Sequence, residues 1–149
     1  MGMSGEIPVR ESKLIFEYKD MSVDTYSLVP RLLLYLDVQL SLRGQPGYSI
    51  TVDIERGELR ITTRGGSHLY VGYFIPNERT HTLSPGDSFT VRMYADLDHY
   101  RLAQIEKIRE GGDIRGYVDL YVTIRMGTEV HHWRTQVQIR IPKTDWEEE

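Results

Sequence analysis

The sequence contains no cysteine among its 149 residues. A disulfide framework, a thiolate metal site and a thiol nucleophile are therefore excluded, and the absence fits a reducing compartment. No run approaches the roughly 18 apolar residues that a membrane-spanning helix needs, and the first residues lack a basic segment followed by an apolar one. From these absences we expect a soluble cytoplasmic protein with no membrane partner.

Motifs for catalysis and for cofactor binding are also missing. No serine lies in a Gly-x-Ser-x-Gly setting, and no Gly-x-x-x-x-Gly-Lys segment is present to cradle a phosphate. Of the five histidines, His131 and His132 are adjacent on a predicted strand and point to opposite faces, while His68, His81 and His99 have no repeated ligand spacing. We therefore predict a non-enzymatic protein without metal or cofactor. A hydrolase or metalloenzyme is the disfavoured alternative.

Neither sign of charge dominates the sequence. The net charge is −4 with both signs interspersed, so no global field attracts a nucleic-acid backbone. Six arginines could form a basic strip if their strands were adjacent: Arg56, Arg60, Arg64, Arg125, Arg134 and Arg140. Because acidic residues are interleaved with them, the sequence favours a mixed solvated face over a platform for single-stranded nucleic acid.

Strand-type alternation dominates what the sequence does contain. Apolar and polar residues alternate over residues 36–42, 50–54, 69–75 and 118–124, and short turns rich in glycine and proline separate these segments. Val38, Val91 and Leu120 are among the residues predicted to face the interior. This pattern predicts a mostly β protein whose short strands have the spacing expected of a sandwich or a barrel, and an antiparallel sandwich is the simplest way to pack them.

One segment has the helical period instead. Leu102, Ile105 and Ile108 recur at three-residue spacing with polar residues between them, which predicts one short amphipathic helix over residues 99–110, before the penultimate strand. The predicted domain organisation is a flexible N-terminus over residues 1–12, a single β-sandwich domain over residues 13–142 and an acidic C-terminal tail over residues 143–149.

Residues 34–142 carry a succession of features that points to a known family. The features are the strand at 36–42, the stretches 48–52 and 69–72, the turn at 83–87, the helix at 102–108, the segment 112–114 and the strand at 118–124. Their order resembles the water-stress and hypersensitive-response domain of late-embryogenesis-abundant proteins. The resemblance implies an antiparallel β-sandwich like those of immunoglobulin or fibronectin-III domains, with one short helix near its end. It also implies that there are no catalytic residues and that the role is binding or stress protection.

Aromatic residues supply the candidate functional surface, because the chain has ten tyrosines and two tryptophans. Tyr35, Tyr94 and Tyr121 lie opposite the aliphatic stripes, where a ring with a hydroxyl group can stack on a sugar or dock a partner. Cross-strand pairing in a sheet is the competing explanation for these tyrosines. Trp133 shares a face with Val137 and is expected in the core, whereas Trp146 either folds back or awaits a partner.

The functional prediction is a binding or stress-protective module that acts through its sheet faces and its unpaired edge strands. The expected partner is a protein, either another copy of this chain or a different one, and edge strands would bind it by strand addition. A carbohydrate or another small ligand held by the surface tyrosines is the alternative.

Overall fold

The two-residue alternation of the sequence corresponds to nine β-strands. A computed structural model describes residues 4–9, 12–25, 32–44, 48–63, 65–97 and 114–141. Within these ranges every helix-or-strand element is a strand. The strands are β1 (Ser4–Val9), β2 (Ser12–Thr25), β3 (Leu32–Arg43), β4 (Ile50–Thr62), β5 (His68–Pro76), β6 (Thr80–Leu83), β7 (Ser88–Leu97), β8 (Ile114–Met126) and β9 (Glu129–Ile141).

All nine strands belong to one antiparallel sheet. Its order is β1-β2-β3-β7-β5-β4-β8-β9, and β6 pairs with the first residues of β4. Strand β4 pairs with β8 along one edge, and its other edge is shared by β6 and then β5. The sheet therefore begins with β1 and ends with β9, which are its two end strands.

The two end strands meet at Gly5. A Cβ atom at Gly5 would lie 2.7 Å from the main-chain oxygen of Gln136 and even closer to the hydroxyl group of Thr135. Only glycine leaves room for so close an approach between two main chains. The contact folds the sheet back on itself into a nearly closed, barrel-like form.

The predicted sandwich is wrong. A sandwich divides its strands between two separate sheets, whereas here β5 pairs with β4 and also pairs with β7 through Ile75 and Pro76. That connection makes one continuous sheet. Alternation identifies the inward face of each strand but does not reveal which strands are joined. The predicted helix at 99–110 lies outside the described residues.

Inward-facing aliphatic side chains form one core. In β3, for example, Leu36, Val38 and Leu40 are buried, and the residues between them are more exposed. Val91 and Leu120 are also buried in the same cluster, which confirms the interior positions predicted from the alternation. Burial of each such side chain stabilises the fold by about 1.5–3 kcal/mol relative to exposure.

The N-terminal region differs from the prediction of a flexible segment over residues 1–12. Residues Ser4–Val9 form β1 and pair with β2, and Ile7 and Val9 are buried. The exposed Pro8 lies in an end strand, where its missing N–H costs no internal hydrogen bond. The acidic tail at 143–149 lies outside the described residues, and the domain limits of 13–142 stay a prediction.

Among the residues described, none belongs to a helix long and apolar enough to cross a membrane.

The close approach at Gly5 can be tested by a substitution. We expect Gly5→Val to lower the free energy of unfolding by about 1–3 kcal/mol, because the added side chain must push β1 away from β9. Chemical denaturation followed by far-UV circular dichroism measures this change. A matched control is Gly65→Val, since a Cβ atom at Gly65 meets nothing within 4 Å; we expect it to change stability by less than about 0.5 kcal/mol. Equal effects of the two substitutions would contradict the proposed closure.

Candidate functional site

The seam between the two end strands is the first candidate site. We use "seam" for the gap between Pro8 and Val9 of β1 and residues 129–134 of β9. It contains a cavity of about 180 Å³. The cavity is lined by five mainly apolar residues and two polar ones: Pro8, Val9, Ile124, Met126, Trp133, Glu129 and His131. Most of this lining is apolar, so the cavity suits an apolar side chain.

The first half of β9 extends beyond the covered core. Trp133 lies on the same face of β9 as the buried residues Thr135 and Val137. Nevertheless, 40% of its surface is exposed. The prediction of Trp133 as a core residue is therefore wrong. Val130, on the other face, is 52% exposed. This half of the strand is consequently open to solvent on both faces.

The outer edge of this half-strand has unpaired main-chain groups. Met126 and Glu129 flank a two-residue turn and are opposite each other, and such flanking residues form a hydrogen-bonded pair. Hydrogen-bonded and non-hydrogen-bonded pairs alternate along an antiparallel ladder. The residues whose N–H and C=O groups point away from β8 are therefore Val130, His132 and Arg134. Among the described residues no strand pairs with this edge.

Two of the predicted tyrosines lie together on a different wall of the sheet. Tyr35 of β3 is directly opposite Tyr94 of β7, which is in turn opposite Ile75 of β5. Tyr94 is 37% exposed and Tyr73 is 51% exposed. We call the surface formed by Tyr35, Tyr73, Ile75 and Tyr94 the tyrosine face. The Arg92 guanidinium lies 5.3 Å from the centre of the Tyr35 ring, so the rim of the face also carries a fixed cation.

Tyr121 does not join the tyrosine face. It lies between Arg56 and Arg134, whose guanidinium carbons are 4.2 and 5.8 Å from the ring centre. Its hydroxyl group donates a hydrogen bond of 3.2 Å to Glu58. The ring is thus engaged by neighbouring side chains, in agreement with cross-strand pairing. Trp146, the fourth predicted surface residue, lies outside the described residues.

Glu58 is the centre of the polar network around Tyr121. Arg60 donates hydrogen bonds to Glu58 at 3.0 Å and to Asp119 at 3.1 Å. Arg56 donates to the other Glu58 oxygen at 3.1 Å. Burial by itself would raise the pKa of Glu58, but hydrogen bonds from Arg60, Arg56 and Tyr121 outweigh it and hold the pKa below its ordinary value of 4.5. Both carboxylate oxygens of Glu58 therefore accept hydrogen bonds within the network, and these bonds stabilise the ionised form.

Comparison with known proteins shows the fold alone. No protein-family profile matches the sequence, and no curated protein matches it. A structural-genomics target protein aligns over 96% of this chain and 95% of its own length, with 14% identity and a TM-score of 0.52. A Bordetella pertussis protein that carries the provisional name ApaA aligns over 92% of this chain and 100% of its own, with 14% identity and a TM-score of 0.52.

A protein described as late-embryogenesis-abundant aligns over 85% of this chain and 72% of its own, with 14% identity and a TM-score of 0.40. A TM-score this low carries no argument about family or function. Membership of the late-embryogenesis-abundant family therefore stays a prediction.

The lowered pKa of Glu58 predicts an acid-sensitive contribution to stability. A carboxylate whose pKa is lower in the folded state stabilises the fold above its unfolded pKa, and the contribution is lost as the pH falls through the folded pKa. We expect the free energy of unfolding to decrease below about pH 4.5, and Glu58→Gln to reduce that decrease. Urea denaturation at a series of pH values measures it. Glu78→Gln removes the same charge from an exposed glutamate outside the network and is expected to keep the native profile, so identical profiles for both variants would contradict this account.

Proposed function

We propose that the protein is a non-enzymatic binding module that takes up an extended segment of a partner polypeptide at the seam. The observation that carries the proposal is the unpaired edge of β9 beside an apolar cavity. In strand addition, main-chain hydrogen bonds supply affinity, and a pocket beside the edge selects the side chains. The seam offers both components in one place.

The energetics of the seam suit a transient complex. Each main-chain hydrogen bond to Val130, His132 or Arg134 contributes about 0.5–1.5 kcal/mol. One aliphatic or aromatic side chain placed against Trp133 contributes about 1.5–3 kcal/mol. Ordering of the guest segment offsets part of this gain. Reversible binding, with a Kd on the order of micromolar, is the expected outcome.

We further propose that the partner polypeptide is a protein damaged by stress. Damaged proteins expose extended apolar segments, which are the kind of guest that an open strand edge accepts. The resemblance to the late-embryogenesis-abundant domain suggests this role, and a cytoplasmic setting belongs to the same proposal. Protection of a heat-labile client from aggregation would be its activity.

Substitutions at Val130 test the seam most sharply, because the Val130 side chain is exposed and its main-chain N–H points outward. Proline removes that N–H, whereas alanine keeps it. The probe is a phage-displayed library of random twelve-residue peptides, selected on the native protein. We expect the selected peptides to bind Val130→Ala within about twofold of the native protein and Val130→Pro at least tenfold more weakly.

Far-UV circular dichroism checks that both variants keep the native fold. Peptides that bind Val130→Pro as tightly as Val130→Ala would contradict the use of the β9 edge. A library from which no peptide is enriched would contradict the proposed function.

Carbohydrate binding is a second candidate, favoured by the adjacency of Tyr35 and Tyr94. Neighbouring exposed rings can stack on the apolar faces of sugars. If the tyrosine face is a sugar site, a glycan array is expected to give signals that Tyr94→Ala reduces at least tenfold. Tyr48→Phe is the control, since it alters a tyrosine away from this face. An array without signals above background would exclude this candidate.

A further inference from the structure

Arginines on the outer faces of the sheet are commonly paired with carboxylates. The pairs with their nitrogen–oxygen distances are Arg56–Glu58 at 3.1 Å, Arg60–Asp119 at 3.1 Å, Arg92–Asp37 at 2.8 Å and Arg125–Asp53 at 2.7 Å. Arg134, an exposed residue in the open half of β9, differs from them. Within the residues that the structure describes, no carboxylate forms an ion pair with its guanidinium group.

The contacts of Arg134 leave most of its hydrogen-bonding capacity unused. One guanidinium nitrogen donates a hydrogen bond of 3.4 Å to the Tyr121 hydroxyl group. The guanidinium carbon lies 5.8 Å from the centre of the same ring. A guanidinium group has several N–H donors in a planar fork that matches a carboxylate. The other donors of Arg134 are therefore available to a partner.

The charges around Arg134 do not balance. The carboxylates of Glu58 and Asp119 act on it electrostatically, but both also bond to other arginines. Glu58 accepts hydrogen bonds from Arg56 and Arg60. Asp119 accepts one from Arg60. Three guanidinium groups thus share two carboxylates, and one positive charge is left in excess beside the open edge of β9.

Strand addition at the seam places a residue of the partner directly opposite Arg134. The N–H and C=O groups of Arg134 point away from β8, so a partner strand forms hydrogen bonds to them. Side chains at directly opposed positions lie on the same face of a sheet. Opposite charges there stabilise the pairing, and like charges destabilise it. The partner residue at this position is consequently selected by its charge.

The other two residues of the open edge, Val130 and His132, supply no fixed charge. The Thr123 hydroxyl group donates a hydrogen bond of 3.1 Å to the Glu55 carboxylate. Its oxygen can therefore only accept from His132 Nδ1, which lies 3.0 Å away. This contact fixes the neutral tautomer of His132, with its proton on Nδ1. The charge preference of the edge thus depends on Arg134.

We propose that the partner segment carries an aspartate or glutamate opposite Arg134, beside an apolar residue whose side chain enters the cavity next to Trp133. The two partner residues are adjacent because successive side chains of a strand point to opposite faces. This inference rests on the proposed strand addition and names the chemical class of its partner. That class is an extended segment in which an acidic and an apolar residue adjoin.

A second copy of this chain fits the edge less well. In a symmetric pairing of two β9 edges that uses all three outward-pointing residues, His132 lies at the centre. Arg134 of each copy then lies opposite Val130 of the other. Both guanidinium groups would remain without a carboxylate, so the charge favours a different polypeptide.

The test begins with the sequences that the native protein selects from the random peptide library. We expect one acidic position next to an apolar one to be enriched over the unselected library. A selected peptide is then synthesised with this acid and with its amide counterpart, and binding is measured by isothermal titration. The native protein is expected to bind the acidic peptide about fivefold more tightly than the amide peptide.

Substitutions of Arg134 assign that preference to its charge. Arg134→Gln is expected to bind the two peptides equally, whereas Arg134→Lys keeps a preference for the acid because it keeps the charge. Arg43→Gln removes an exposed arginine of β3 and is expected to behave like the native protein. Raising sodium chloride from about 50 mM to about 500 mM is expected to reduce the preference of the native protein. Far-UV circular dichroism checks the fold of each variant.

The outcomes separate this inference from the strand addition on which it rests. Selected peptides without an enriched acid, or an acid preference undiminished in Arg134→Gln, would overturn the inference alone, since the Val130 variants test strand addition independently. A library from which no peptide is enriched would overturn both. A dimer of the native protein in sedimentation experiments that Val130→Pro abolishes would identify a second copy as the occupant and overturn the acidic partner.

Discussion

The contact between Gly5 of β1 and the main chain of β9 is the constraint on which the rest of the structure depends. It turns a continuous sheet into a nearly closed barrel. The barrel closes where Gly5 meets residues 135 and 136 of β9, next to the seam. Because main-chain atoms occupy the space that a side chain would need, the contact also fixes how far the end strands can approach. In the adjoining seam the two end strands do not meet, and Trp133 is exposed there as a consequence.

The outer surface follows a different rule from the core. Alternation places charged residues and tyrosines outside, where cross-strand neighbours decide whether each is engaged or available. Tyr121 is engaged by Arg56 and Arg134, whereas Tyr35 and Tyr94 face each other on a more open wall. The same residue type is therefore structural on one wall and a candidate ligand contact on another.

The strand positions and their inward faces could be predicted from the sequence. Apolar and polar residues alternate along a strand that has one face buried and the other exposed. Val38, Val91 and Leu120 illustrate this success. The closure of the sheet could not be predicted, since it depends on the pairing of β5 with β7 and on one glycine in an apparently irregular N-terminal segment. Pro8 and Gly5 made that segment look flexible, although Ile7 and Val9 alternate as a strand requires.

The seam was missed for a related reason. Trp133 lies on the same face of β9 as Val137. The alternation assigns a residue to a face, but it does not show where a strand extends beyond the elements that cover that face. One available signal was the run of polar residues at Glu129, His131 and His132, which interrupts the alternation. The sequence analysis considered Arg140 as part of a basic strip, but its position opposite Arg115 follows only from the register of the β8–β9 hairpin.

Amide hydrogen exchange along β9 in the free protein tests the open seam most directly. If the outer edge is unpaired, the amides of Val130, His132 and Arg134 exchange rapidly while those of His131 and Trp133, bonded to β8, are protected. Two-dimensional NMR after transfer into deuterated water resolves these positions. Alternating protection is the result that the open edge predicts, and equally strong protection at all five amides would contradict it.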